Sequence, residues 1–274
     1  MMYGQAERLL ELKRLEVEES RNGEKKIFAF TSGKGGTGKT FLSLNIAYAL
    51  SQKKKILFID LDQNLSNSNI MINEAPSKTL YSFFHGNNLL QELITETYPG
   101  LHFIFGDSGK LGYLKRKNSS ISQLFNQMRE LEAIYDFIFL DTGSGAGEEI
   151  FSVLLNADAN IIVTTTEPTA IMDAYVMLKL LNGSGFNGDK AIIINKCIDA
   201  VDGKSAFNNL QLAANHFLNE KLNLLGTIDF DHAVSASIIA QELIVKREPS
   251  ISISRQITEL SRRIFEFADV LHDD

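Results

Sequence analysis

Short apolar runs, nearly continuous and rich in β-branched and aromatic residues, punctuate the chain at 27–30, 56–59, 101–105, 137–140, 160–164, 191–194 and 224–228. Between them apolar residues recur at helical spacing, as in the segment that holds Phe41, Leu42, Leu44, Ile46, Ala47 and Leu50. A strand with one wet face alternates apolar and polar residues, whereas a strand covered on both faces reads as an unbroken apolar run. The alternation of such runs with helical patterns predicts a doubly wound α/β fold, a mainly parallel sheet of about seven to eight strands flanked by helices. Ligands in such sheets sit at the carboxyl ends of the strands, and the informative polar residues of this chain stand there.

Two segments lie outside that alternation. Residues 1–24 are charged, with Ala6, Leu9, Leu10 and Val17 at helical spacing and a turn signal at Arg21-Asn22-Gly23, which predicts a helical extension ahead of a domain over 25–274. Near the other end Ile253, Ile257, Leu260 and Ile264 make one apolar stripe, the signature of a last core helix.

Composition narrows the picture without redirecting it. With 274 residues, 44% of them hydrophobic, the chain can bury one large core and shows no break that would divide it. A formal charge of −7 argues against a surface that is basic throughout, so DNA binding is not expected. Lys53-Lys54-Lys55, the Lys110/Lys115-Arg116-Lys117 loop and Arg262-Arg263 are small clusters that read as solvated surface. A single cysteine, Cys197, excludes an intrachain disulfide and fits a reducing compartment. No run approaches the roughly 18 apolar residues of a spanning helix, and none resembles a signal peptide. A cytoplasmic protein is expected.

Chemistry enters at Gly33-Lys34-Gly35-Gly36-Thr37-Gly38-Lys39-Thr40, which satisfies G-x-x-x-x-G-K-S/T between a predicted strand and a predicted buried helix. Glycines let successive backbone N–H groups turn inward around phosphate oxygens, Lys39 reaches the β/γ-phosphates, and the Thr40 hydroxyl ligates Mg²⁺. The positive end of the following helix adds to the cradle. After the second strand come Asp60 and Asp62, two carboxylates at i and i+2 on one side of an extended segment, suited to holding a Mg²⁺ shell and orienting a water. A further strand ends at Asp141, followed by Thr142-Gly143-Ser144-Gly145-Ala146-Gly147, the form of a Walker B aspartate with a glycine-rich switch behind it.

With those residues in view, the chain resembles the MinD/ParA family of deviant Walker A ATPases, whose K-G-G-x-G-K-S/T loop is matched by Lys34 to Thr40. The resemblance implies ATP and Mg²⁺ as ligands, slow hydrolysis and an ATP-dependent homodimer. By it, Lys34 is the signature lysine that reaches the partner subunit's ATP. Asp62 positions the attacking water, Asp60 and Asp141 stand on the metal side with Thr40, Asn67 lies at the dimer face, and Asn195 reads the adenine edge. Thr164-Thr165-Thr166-Glu167-Pro168-Thr169-Ala170-Ile171-Met172-Asp173-Ala174-Tyr175 resembles the T-T-P-E-P-T-S-I-T-D-A-Y run of the FlhG branch, regulators of flagellar number and placement. Gln5-Ala6-Glu7-Arg8-Leu9 is similar to that branch's activator helix, which implies an FlhF-like GTPase or another flagellar protein as partner.

Departures from the pattern qualify what is implied. Gly4 and Leu10 stand where the activator motif has its charged ends, and Asn64 and Asn69 replace a glycine and a carboxylate of the first switch. Asp229 replaces the proline of the family's I-P-x-D. Family members usually end in an amphipathic membrane helix, but here ten residues follow Ile264 and they close on His272-Asp273-Asp274, so any membrane contact is expected through a partner or the basic loops. Among other readings, Asn195-Lys196 opens like the guanine motif N-K-x-D, yet Ile198 holds the aspartate position and Asp199 falls one residue late. An iron–sulfur reductase would need two cysteines per subunit, and the related tyrosine kinases carry a C-terminal tyrosine cluster absent after Tyr175. A ParA-type partition or cargo-positioning ATPase that binds DNA, and a nucleotide-binding adaptor with little turnover, stand as the alternatives.

Overall fold

Each apolar run falls in a strand, with Phe105 just past the end of its own: β1 Ile27–Ser32, β2 Ile56–Leu61, β4 Leu101–Ile104, β5 Phe137–Ser144, β6 Ala159–Thr165, β7 Asp189–Cys197 and β8 Asn223–Asp229. The structure, a computed structural model, describes residues 25–62, 67–86, 88–107 and 118–269. The extension expected over 1–24, positions 63–66 of the first switch, the basic loop of Lys110, Lys115, Arg116 and Lys117 and the acidic tail therefore lie outside the described residues. The eighth strand, β3 Thr95–Tyr98, carries no apolar run because it pairs antiparallel to β4 at the sheet's edge, where one side needs no covering.

The order β3-β4-β2-β5-β1-β6-β7-β8 makes β1 central, with parallel neighbours on both sides. From β1 the chain moves outward to β2 and β4, returns through β5 into the gap beside β1, and then crosses to β6 on the other flank. That reversal opens a crevice at the carboxyl end of β1, where the glycine loop begins.

Alternation of side chains assigns each strand residue to one of two cores. Ile27, Ala29, Leu57, Ile59, Ile138, Leu140, Ile162, Ile192 and Ile194 face an aliphatic core beneath α4 Asn118–Leu131, α5 Glu148–Leu154, α6 Pro168–Gly183 and α7 Ala200–Leu218. Phe28, Phe30, Phe58, Phe103, Phe137 and Phe139 face the other way, into an aromatic core closed by α1 Lys39–Ser51 and α10 Ser252–Asp269. Phe28 and Phe137 meet edge-on at 5.7 Å and Phe30 and Phe139 tilted at 4.9 Å between centroids, arrangements the aromatic quadrupole favours, while Phe103 and Phe105 stack nearly parallel at 5.3 Å. The same phase carries Asp60, Asp141 and Asn195, each at an even step from those residues or their strand neighbours, to the carboxyl end of the aromatic face. Sequence alternation thus decides on which side of the sheet a site can form.

Two shorter helices, α2 Ser68–Met71 and α3 Leu80–His85, follow β2, and α8 His232–Ile239 and α9 Ile244–Arg247 precede α10. The stripe of Ile253, Ile257, Leu260 and Ile264 is buried against α1 and β8, so this helix contributes its apolar face to the core. Among the described residues no helix is long and apolar enough to cross a membrane.

Cys197 is buried at the end of β7, and burial, helped by the nearby Asp202 carboxylate, pushes its thiol up to about 11. Because the folded value lies above the unfolded one, the protonated thiol's contribution is complete below pH about 9 and is lost as pH rises toward 11. Labelling of Cys197 by a maleimide at pH 7 should follow the unfolding transition in denaturant; rapid labelling of the native protein would contradict this burial.

Candidate functional site

The loop after β1 is shaped by what its glycines leave room for. At Gly33 an added Cβ would lie 2.6 Å from the Asp173 carbonyl carbon and 2.7 Å from its oxygen, so the loop rests directly on the backbone of α6. Gly38, at φ 88°, takes the left-handed conformation that turns the loop into α1, and a Cβ there would collide with the Asn195 amide. Ser32 Oγ donates to the Lys34 carbonyl at 3.0 Å and closes the loop's entry.

At the first turns of α1 the polar groups converge on Asp141. Lys39 Nζ stands 2.9 Å from Asp141 Oδ1, Thr40 Oγ1 donates to Oδ2 at 2.7 Å, and Ser43 Oγ lies 3.1 Å from Oδ1 and 3.1 Å from the Thr40 carbonyl. Lys39 and Asp141 are both buried, a placement that requires pairing. Two hard oxygens 2.7 Å apart, Thr40 Oγ1 and Asp141 Oδ2, suit Mg²⁺, which takes few protein ligands and leaves the rest of its octahedron to water and substrate phosphates. No cluster of three or more histidine, cysteine or acidic residues capable of holding a metal by itself occurs among the described residues. Ser43 carries no signal in the sequence, since a serine inside a buried helix stands out only once the carboxylate opposite it is known.

Asp60 sits in register beside Asp141, yet its carboxylate is engaged by its own switch. Its Oδ1 accepts from the Asp62 amide at 3.0 Å, and its Oδ2 from the Ser68 hydroxyl at 2.5 Å and the Ser68 amide at 3.2 Å. Asp60 therefore ties the two ends of the first switch together, on either side of 63–66. Asp62 reaches over the second switch, where a Cβ on Gly143 would lie 3.6 Å from its Oδ1. Asn67, exposed, precedes α2, and its carbonyl accepts from Met71 N at 2.9 Å. The second switch is fastened to β1 by Thr142 Oγ1, 2.9 Å from the Phe30 carbonyl, and by Gly145 N, 2.8 Å from the Ser32 carbonyl.

Lys34 points away from Lys39. Its ammonium bonds the Glu167 carboxylate, and Thr169 Oγ1 lies 3.1 Å away, both at the start of α6. That hydrogen bond and the lysine charge hold the exposed Glu167 carboxyl below the usual glutamate value. Asn195 donates through Nδ2 to the Thr37 carbonyl at 2.8 Å, so its amide braces the glycine loop. Asp199, the late aspartate of the guanine comparison, caps α7 by accepting from Asp202 N at 2.8 Å.

Residues 25–184 match a family described as an AAA domain, and an alignment of 268 positions is 31% identical to the flagellum site-determining protein YlxH of Helicobacter pylori, covering 95% of this chain and 90% of that protein. The chain belongs to the MinD/ParA family of P-loop ATPases, in its FlhG branch. Within that family the antiactivator FleN of Pseudomonas aeruginosa is 25% identical over 239 residues, 87% of this chain and 85% of the relative. Among solved structures, the septum site-determining protein MinD of Pyrococcus horikoshii complexed with Mg-ADP shares the fold with a TM-score of 0.74 at 21% identity, over 89% of this chain and 98% of that one. Family membership makes this a MinD-like P-loop ATPase of the spatial-positioning kind, and the eight-stranded sheet with its helices is the family's architecture.

Proposed function

We propose that the chain is a slow, ATP-dependent dimerisation switch of the FlhG kind that regulates the number or placement of flagella. The observation that carries the proposal is the separation of the loop's two lysines: Lys39 is buried on Asp141, and Lys34 stands half-exposed at the rim, held by Glu167 and Thr169. One lysine is positioned to serve its own site and the other to leave it. The glycine loop, Lys39 and Thr40 would bind the phosphates of ATP, and Mg²⁺, held beside Thr40 and Asp141, would neutralise charge developing between the β- and γ-phosphates. Two subunits then face each other with each Lys34 directed at the opposite site and Asn67 on the shared face. Asp62, over Gly143, orients the attacking water, and loss of the γ-phosphate frees both switches and so the dimer. Asp60 takes part by binding Asp62 and Ser68, which transmits any movement of one switch end to the other. The likeness to a flagellum site-determining protein of Helicobacter pylori supports the flagellar setting. An FlhF-like GTPase or a flagellar regulatory protein is the partner that this reading assigns.

The Asp62→Ala variant tests the switch. Light scattering should give twice the monomer mass with ATP–Mg²⁺ and the monomer mass with ADP, and expression of the variant in a flagellated host should change flagellar number or position. A monomer in both nucleotides would remove the dimer from the mechanism, and unchanged ATP turnover would remove Asp62 from its role.

A further inference from the structure

Lys196 has no part in the proposed switch, and its conformation is unusual. It takes φ 57°, the left-handed region that costs an ordinary residue energy and that persists only where the surroundings impose it. The β7–β8 register slips between Ile194 and Cys197, where an extra residue is inserted. Its effect shows in the phase of β7: Ile192 and Ile194 face the aliphatic core, position 196 should follow, and Cys197 takes that place instead. Bulges re-aim side chains in this way beside functional sites. Here Asn195 and Lys196, consecutive residues that a regular strand would send to opposite faces, both reach the glycine loop.

Their targets are consecutive too. Lys196 Nζ donates to the Gly36 carbonyl at 2.7 Å and Asn195 Nδ2 to the Thr37 carbonyl at 2.8 Å. In a planar trans peptide the C=O and the following N–H point in opposite directions. Holding the Gly36 carbonyl therefore aims the Thr37 N–H the other way, and holding the Thr37 carbonyl does the same for the Gly38 N–H. A donor on the carbonyl also polarises the peptide unit and strengthens its N–H as a donor, most of all when the donor is an ammonium.

We infer that Lys196 is a positioning residue for phosphate binding: the β7 bulge aims its ammonium at the Gly36 carbonyl so that the apex amides of the glycine loop are fixed toward the phosphates. The inference rests on the proposed nucleotide reading and deepens it. The role is indirect, through the loop backbone, and needs the cation at the end of a stem of this length.

The affinities of ADP and of pyrophosphate for the full chain, measured with Mg²⁺ by calorimetry, test it in the wild type and in Lys196→Met, Lys196→Arg and Lys196→Gly. Lys196→Met should weaken both ligands by the same factor, about fivefold, and Lys196→Arg should recover most of the loss. Lys196→Gly, which relieves the left-handed backbone, should match the Met variant in affinity with its melting temperature no lower than that of the wild type. Equal affinity in wild type and Lys196→Met would overturn the inference while leaving the nucleotide site standing. Loss of ADP affinity alone would also overturn it, because it would place Lys196 on the base. Failure of the wild type to bind either ligand would instead overturn the nucleotide reading, and the inference with it.

Discussion

Lys39→Met should cost the fold about 3 kcal/mol and abolish binding of ATP and ADP. The magnitude follows from what stays behind: Asp141, with its side chain 1% exposed, keeps the hydroxyls of Thr40 and Ser43 but loses the cation 2.9 Å from Oδ1. Removing one partner of a buried ion pair typically costs about 3–5 kcal/mol, and two remaining donors put this case at the lower end. For a domain of this size the melting temperature should fall by roughly 6–12 °C. Adding Asp141→Asn removes the stranded charge, so the double variant should regain most of the stability and none of the nucleotide binding. Denaturant unfolding and nucleotide titration on the three variants would separate the two effects. A single variant within about 0.5 kcal/mol of wild type, or a double variant no more stable than the single, would show that the pair is solvated rather than buried.

Gly33→Ala should be nearly as damaging, and for a different reason. Its Cβ would lie 2.6–2.7 Å from the Asp173 backbone, and a helix backbone cannot yield as a side-chain tip can. Either the loop or α6 must shift, which overpacking experience puts at about 2–3 kcal/mol. Lys34 is the next residue, so the shift should also pull it from Glu167 and Thr169 and weaken nucleotide-driven association. Gly35→Ala supplies the control. Its Cβ would meet nothing nearer than Ser144 Oγ at 3.6 Å, and its φ is not among the left-handed ones, so its stability should stay within about 1 kcal/mol of wild type. Equal melting temperatures for the two variants would mean that α6 does not seat on the loop as described.

The glycine loop illustrates how far a motif carries. From the pattern alone Gly33 and Gly35 are equivalent flexible positions; only the packing of α6 separates them. The same holds for Asp60 and Asp141, both acidic ends of apolar runs. The structure puts Asp141 under Lys39 and Thr40 and gives Asp60 to Ser68, because β5 lies between β2 and β1 and so brings its own carboxylate nearest α1.

The class of fold, seven of the eight strands, the helix that closes the aromatic core and the glycine loop are all legible in the linear pattern of residues. Each of these is written in local periodicity or in a contiguous motif, where the physical cause lies within a few residues of its effect. Strand β3 left no such mark, since an edge strand needs no continuous apolar run. The meetings of residues far apart in the chain leave no such trace: Ser43 with Asp141, Lys34 with Glu167, Gly33 with Asp173, and Lys196 with the Gly36 carbonyl. Those contacts depend on strand order and on one bulge in β7, which set the direction of a side chain only after the sheet has formed.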